Sequence, residues 1–380
     1  MKKILIVLIS FCAVFPISSQ TWSPLIRLTW NSGNSFWPSI TTNSINNLHV
    51  VWHDLTPGNN EIYYRRSIDG GVNWPPLTRL TWNSGGSHRP SIAADPGSGI
   101  HVVWSDTSLG NEEILYKRST NSGVAWGGIV RLTWNSGVSR DASITADSSS
   151  RLHVVWNDGS YGAHEIFYKR SPNGGTNWST PERLTWNSGE SWYADIAVDQ
   201  VNGVHVVWKD DTPGNNEIFY KHSTDSGMNW SGLERLTWNS GNSYNAAIVT
   251  DSGNGIHVVW EDNTPGNYEI FYKRSLDGGN TWSAPTRMTW IDEYSEDPSI
   301  VADSGNNIYV TWVDDNTGIG EIYFKQSTNR GVTWSAPMRL TWNNKASGRP
   351  GLAVDSNNYI HLVWHDSIFG NPEIFYKNRK

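Results

Sequence analysis

The chain has 380 residues, with 29 Lys and Arg against 36 Asp and Glu and a formal net charge of −7. No basic stripe stands out from that balance, so nucleic acid is not an expected partner. A single cysteine excludes a disulfide framework and a cysteine metal site, and 23 tryptophans mark the composition as unusual.

Residues 1–19 read as a secretory signal peptide. Met1-Lys2-Lys3 is a basic start, Ile4 to Ile17 is mostly apolar, and Ser18-Ser19 supplies small residues for cleavage. The run is too short to span a membrane, and no later run is long enough. Phe11 before Cys12 does not fit a lipoprotein processing site. The expectation is export to a secreted, periplasmic or cell-surface location, with the one thiol removed. Without Lys2 and Lys3 the chain keeps 27 basic and 36 acidic residues, a formal charge of −9.

From residue 20 to 380 a single domain is expected, because one unit recurs without slippage. Arg-Leu-Thr-Trp begins at Arg27, Arg79, Arg131, Arg183, Arg235 and Arg339, with Arg-Met-Thr-Trp at Arg287, each 52 residues after the last or a multiple of it. His-Val-Val-Trp and its variants end at Trp52, Trp104, Trp156, Trp208, Trp260, Trp312 and Trp364. A period near 50 residues points to a propeller or a solenoid. Within one unit, Ala246 to Thr250, Gly255 to Glu261, Glu269 to Arg274 and Trp282 to Trp290 hold four short apolar runs, separated by Gly, Asn, Asp, Ser or Pro clusters. That is the pattern of four strands with turns between, and no segment sustains a helical period.

The expected fold is all-β: a seven-bladed propeller of four-stranded blades, counted here from the channel outward. Three tryptophans recur per unit, and the seventh member of the third set is Trp22, because Thr21-Trp22-Ser23-Pro24 matches Thr281-Trp282-Ser283-Ala284-Pro285. The last unit reaches only its third strand. Thr21 to Trp30 should therefore supply the outer strand of the last blade and close the ring, leaving no edge exposed.

Between the third and fourth strands sits Ser-x-Asp/Asn-x-Gly-x-x-Trp, as in Ser67 to Trp74 and Ser275 to Trp282, with further copies from Ser119, Ser171, Ser223 and Ser327. Asp or Asn accepts amide hydrogen bonds there and Gly permits positive φ. The motif resembles the Asp-box, or BNR repeat, of sialidase-like β-propellers, and the resemblance spans Thr21 to Lys380. It implies that the box is a structural turn on the face opposite the ligand site. Asn121, Asn173 and Asn329 replace the acid in three boxes, so neither metal nor other cofactor is expected.

Other positions recur as well. Asp54, Asp106, Asp158, Asp210, Asp262, Asp314 and Asp366 follow the second-strand tryptophan by two residues, and a Glu follows seven residues later. Such carboxylates either bond loop amides and the neighbouring blade's arginine or hold a cation or a sugar hydroxyl. His49, His101, His153, His205, His257 and His361 start the second strand, with Tyr309 in the remaining unit. Packed, hydrogen-bonded histidines are expected, not metal ligands.

Diversity concentrates at one place. Just before the apolar run of the first strand, two adjacent positions read Phe36-Trp37, His88-Arg89, Arg140-Asp141, Trp192-Tyr193, Tyr244-Asn245, Glu296-Asp297 and Gly348-Arg349. Trp37 and Trp192 are the only tryptophans outside the repeated sets. The pairs are expected on the connection entering the first strand, ringing the channel mouth. Ligand-binding candidates are Phe36, Trp37, Arg89, Arg140, Asp141, Trp192, Tyr193, Tyr244, Glu296, Asp297 and Arg349.

Two functions follow. One is a secreted, non-catalytic binding propeller for a carbohydrate, lectin-like, or for an extracellular protein. The other, implied by the resemblance, is a sialidase-like exo-glycoside hydrolase, whose family uses an arginine triad for the substrate carboxylate, a tyrosine nucleophile assisted by Glu, and an Asp acid/base. The family's catalytic domain has six blades, its aromatic-Arg-Ile-Pro motif is absent, and no unit carries an insertion. No catalytic residue is carried over, and binding is the preferred expectation.

Overall fold

Short β-branched and aromatic runs between turn residues fold as strands throughout, and each 52-residue unit becomes one antiparallel four-stranded sheet. The structure, a computed structural model, describes residues 21–380; the expected signal peptide lies outside them. The first blade comprises Ser35–Thr42, Leu48–Asp54, Glu61–Ser67 and Thr78–Arg79, paired in that order. Five more blades repeat it. The seventh takes Ser347–Val354, Ile360–Asp366 and Glu373–Arg379 from the end of the chain and Ile26–Arg27 from its start. First strands of consecutive blades pack on one another, and Ser35–Thr42 packs on Ser347–Val354, so the ring is closed.

Ring closure rests on specific contacts. Ile26 and Arg27 pair with Tyr376 and Phe375. Arg27 bonds Glu373 at 2.8 Å, and the Ile374 amide donates to Thr29 at 2.9 Å. Trp22 meets Phe324 edge-on at 5.3 Å, as Trp74 meets Tyr376 and Trp126 meets Tyr64. Each turn tryptophan thus locks onto the third strand of the preceding blade, and Trp22 does so for the last blade.

Hydrophobic clusters lie at the blade junctions, not within single sheets. One joins Val207, Ile218, Tyr220 and Leu236 of the fourth blade to Ile248, Val258 and Trp260 of the fifth. Both faces of each sheet are therefore covered, which is why the second strands do not alternate with polar residues. The three tryptophan sets occupy different layers. The set of Trp52 is 0–1% exposed. The turn set is partly buried. Trp30, Trp82, Trp134, Trp186, Trp238, Trp290 and Trp342 are instead 62–74% exposed.

The turns after the third strand are held by their own side chains. Ser67 Oγ accepts from the Gly71 amide at 2.9 Å, and Asp69 Oδ1 accepts from the Asn73 amide at 2.9 Å. Gly71 sits at φ +88°, and a Cβ there would stand 2.1 Å from the Tyr376 hydroxyl, so only glycine fits. The recurrent histidines are packed: His101 bonds the Tyr116 hydroxyl at 2.7 Å and Asp95 at 3.2 Å. In the sixth unit Tyr309 reaches Asp303 itself at 2.9 Å, and Phe324 stands where the other units place a hydroxyl-bearing tyrosine.

Candidate functional site

The recurrent carboxylates serve the scaffold. Asp54 accepts from Ser35 Oγ at 2.7 Å, from Trp52 Nε1 at 3.3 Å and from the Thr56 amide at 2.8 Å. Glu61 accepts from Arg79 at 2.8 Å and from the Thr81 hydroxyl. Arg79 belongs to the same blade as Glu61, not to its neighbour. The reason is the hairpin geometry: the fourth strand pairs directly with the third, so the two residues meet 18 positions apart.

The variable pairs do not sit on the connection before the first strand. They are its second and third residues, because that strand begins at Ser35, Ser243 or the equivalent, three residues before the apolar run. The register shifts between Tyr244 and Ala247, so Asn245 and Ala246 together face the single Trp260. A β-bulge of this kind breaks the polar-apolar alternation, and the segment therefore reads as loop in sequence. The second member of every pair is left-handed: φ is 55° at Trp37, 51° at Arg89, 56° at Asp141, 54° at Tyr193, 46° at Asn245, 53° at Asp297 and 50° at Arg349. A non-glycine residue held so costs on the order of 1 kcal/mol or more. Seven units bear that cost and none uses glycine.

The bulge turns these second members into the channel. They line a cavity of about 300 Å³ together with residues two positions further along the same strands, among them Ser39, Ser91, Ser143 and Asp195. Trp37 lies between two guanidiniums, Arg349 at 3.8 Å and Arg89 at 4.5 Å from its ring centre. Arg89 is ion-paired with Asp141, and Arg349 with Asp297 at 2.8 Å. The phenol of Tyr193 adds to the Arg89 environment. The arginine side chains stay about one-third exposed, at 32% and 35%.

The first members take another course. Phe36, Arg140, Trp192, Tyr244 and Glu296 are not among the residues lining this cavity. Phe36 packs edge-on against His365 at 5.1 Å. Arg140 reaches Glu112 at 2.9 Å, which also bonds His88 at 2.6 Å. Trp192 covers His164 at 3.9 Å and donates to Glu190 at 3.0 Å. Tyr244 accepts from Asn216 at 2.6 Å. Of the three arginines only Arg89 and Arg349 meet in the channel; Arg140 is turned to its own partner.

A second layer was not singled out from sequence. It is the second-strand residue between the tryptophan and the recurrent Asp: His53, Ser105, Asn157, Lys209, Glu261, Val313 and His365. It pairs with the first member of each pair, as Tyr244 with Glu261. It also supports the next blade's left-handed residue: the Asp297 amide donates to Glu261 at 3.0 Å and the Asp141 amide to Ser105 at 3.1 Å. Its variation between otherwise copied units is the signal that could have found it. Burial holds the His53 imidazole down at about 3, with the charges of His88, His365 and Arg89 adding. Burial also pushes the Glu261 carboxyl up to about 7, helped by the charges of Asp297 and Glu296, and raises Asp297 and Glu296 as well.

Glu261 gives the protein a pH dependence. Its folded value lies above the ordinary 4.5, so its contribution to stability is full below about 4.5 and is lost as pH rises through about 7. The melting temperature is expected to fall between about pH 4.5 and 7 for this reason, by the equivalent of up to about 3 kcal/mol. Glu261→Gln should flatten that part of the curve. Thermal melts of both proteins across the range check it; parallel curves would show that Glu261 is not the group.

No family model and no curated protein matches the sequence. Solved structures do match the fold. An ulvan lyase, from a polysaccharide lyase family, aligns with a TM-score of 0.68 at 10% identity over 91% of this chain and 94% of its own. The intramolecular trans-sialidase from Ruminococcus gnavus aligns at 0.56 and 11% identity, over 93% and 97%. A Hadza microbial sialidase aligns at 0.55 and 14%, over 89% and 74%. The fold is that of a sialidase-like propeller. At these identities the likeness is one of architecture alone, and function has to be argued from the channel itself. No helix among the described residues is long and apolar enough to cross a membrane.

Proposed function

We propose that this protein binds carbohydrate at the channel mouth, in the manner of a lectin, and does not hydrolyse it. The observation that carries the reading is the ring of seven left-handed, non-glycine residues turned into one cavity. Backbone strain repeated at one position of a copied unit, where the side chains alone differ, fits a site selected for what it presents. A cavity of about 300 Å³ suits a ligand of one or two sugar units.

Charge decides the ligand class. Arg89 and Arg349 are each neutralised by a carboxylate, while most of their five N–H donors remain for hydroxyl groups. A free sugar carboxylate would have to displace Asp141 or Asp297 and would meet no third arginine. Neutral sugars, bonded by Arg89, Arg349 and Asn245 and packed on Tyr193, fit better than sialosides. The six Ser-x-Asp/Asn-x-Gly-x-x-Trp turns are read as Asp-boxes, and residues 1–19 as a signal peptide, which puts the ligand outside the cell. The carbohydrate activities named for the ulvan lyase and the sialidases support this choice over a protein ligand.

One observation favours the hydrolase as second reading. Glu261 lies behind the channel wall, accepting from the Asn245 side chain at 3.0 Å and the Asp297 amide at 3.0 Å, and a carboxyl held at about 7 is matched to proton transfer near neutral pH. Both readings meet one test, a glycan array run beside a sialoside turnover assay. Binding of neutral glycans without turnover is expected, and Trp37→Ala should weaken it at least about tenfold, or 1.4 kcal/mol, by freeing both guanidiniums. Turnover abolished by Glu261→Gln or Tyr193→Phe would establish the hydrolase instead.

A further inference from the structure

The seven tryptophans that follow Arg-Leu-Thr or, at Trp290, Arg-Met-Thr are the largest apolar side chains left in solvent, 62–74% exposed. Each stands at a blade junction. Trp82 has Arg79 of its own blade 5.7 Å from the ring and Lys117 of the next blade at 5.4 Å; Trp134 has Arg131 at 5.8 Å and Lys169 at 5.1 Å. At the junction of the fourth and fifth blades, Trp238 forms one wall of a cavity of about 560 Å³, with Pro265, Phe271 and Pro285 among its other walls. Loop bonds such as Asn59 to Asn83 at 3.1 Å place these tryptophans on the same end of the ring as the channel mouth, but at its periphery.

The polar groups around each indole are already committed. Arg287 bonds Glu269 at 2.7 Å and the Thr289 carbonyl at 2.7 Å, and Lys273 donates to the Leu236 carbonyl at 2.8 Å. The same lysine bond recurs at Lys117 and Lys169, both at 2.8 Å. The arginines are thus ion-paired, and the lysines, bonded only to a carbonyl, are buried beneath the indole, Lys117 8% and Lys169 4% exposed. What is left is a flat apolar face with a hydrogen-bonding fringe. That is a poor fit to an anion, which would need a cation open to solvent. It is also a poor fit to a folded protein, since a stable interface needs roughly 800 Å² of continuous surface per partner, and each indole stands at a separate blade junction. It suits the apolar C–H face of a pyranose, which buries against an aromatic ring while its hydroxyls stay hydrated at the rim. Seven copies around one ring suit a ligand that itself repeats.

We propose that the seven blade junctions are stacking sites for the sugar rings of a neutral polysaccharide, acting by number and not by single-site strength. The sites do not depend on the channel being occupied. Exposed aromatics of this kind cost solubility unless a ligand covers them, and a linear polymer engaging several at once gains about 10²- to 10⁴-fold over one site.

Affinity electrophoresis tests this, with hydroxyethylcellulose, a soluble β-1,3-glucan, xylan, galactomannan and, as the acidic polymer, polygalacturonate in separate gels. At least one neutral polymer should retard the protein. Trp82→Ala, Trp186→Ala and Trp290→Ala combined should lower the apparent affinity about tenfold, and alanine at all seven positions together with Trp37→Ala should abolish retardation. Trp37→Ala alone should leave it intact, which separates these sites from the channel. In the unaltered protein the bound polymer should protect fluorescence from iodide quenching, because iodide reaches the exposed indoles. The proposal is overturned if no neutral polymer retards the protein, if polygalacturonate alone does, if Trp37→Ala removes the effect, or if iodide quenching is unchanged by a polymer that binds. Self-association lost in the seven-site variant would assign the junctions to a second copy of the chain and overturn it equally.

Discussion

Deletion of Thr21 to Trp30 is expected to unfold or aggregate the protein at ordinary temperature. The segment inserts Leu28, fully buried, and the Arg27 guanidinium that pairs with a Glu373 side chain of zero exposure. Without it Glu373 loses the Arg27 guanidinium, a charge-assisted bond worth about 1.5–3 kcal/mol. Removing Leu28 adds roughly 2 kcal/mol of lost burial. Against a typical total of about 5–15 kcal/mol this is a large fraction of the stability. It also exposes Glu373–Arg379 as an unpaired edge, and such edges recruit other chains. Size-exclusion chromatography and thermal melts decide the matter. A monomeric deletion variant melting with the parent would show that the seventh blade does not need its outer strand.

Trp260→Ala is the second large effect. The side chain is almost wholly buried, packs in the junction of the fourth and fifth blades, and donates to Asp262 at 3.2 Å. Truncating it opens a cavity and strips one partner from a buried carboxylate, costing about 3–5 kcal/mol. Trp238→Ala, one blade junction's exposed counterpart, should change stability by only about 0.5 kcal/mol. Denaturant titrations of the two variants side by side give the contrast. Equal losses would contradict the layering of the tryptophan sets.

These contrasts show what was legible in the sequence and what was not. The ring and its closure were legible because Trp22 copies the turn tryptophans and the copy has only one place to go. The depth of each tryptophan set was not, because recurrence at 52 residues reports a shared environment and says nothing of whether it is wet or dry. Trp30 and Trp52 recur equally well, yet one is exposed and the other sealed. The variable pairs were visible as diversity. Their division into a channel-lining member and a rim member was hidden by the bulge, which sends Trp37 inward and Phe36 towards His365. Glu261 was overlooked because it lies between two invariant residues, in a strand that otherwise reads as core.

The same physics separates scaffold from site. Every unit repeats the Arg–Glu pair of its outer strands, and most repeat the Ser–Asp–Trp bonding of the inner ones, so those carboxylates belong to the scaffold.

The central claim is that the channel mouth is where a sugar binds. The most direct measurement is a crystal structure of the protein with its best glycan from the array. The account predicts a sugar ring within hydrogen-bonding distance of Arg89 and Arg349 and against Tyr193, with the Arg89–Asp141 and Arg349–Asp297 pairs intact. A well-ordered glycan bound elsewhere, with the seven left-handed residues untouched, would contradict it.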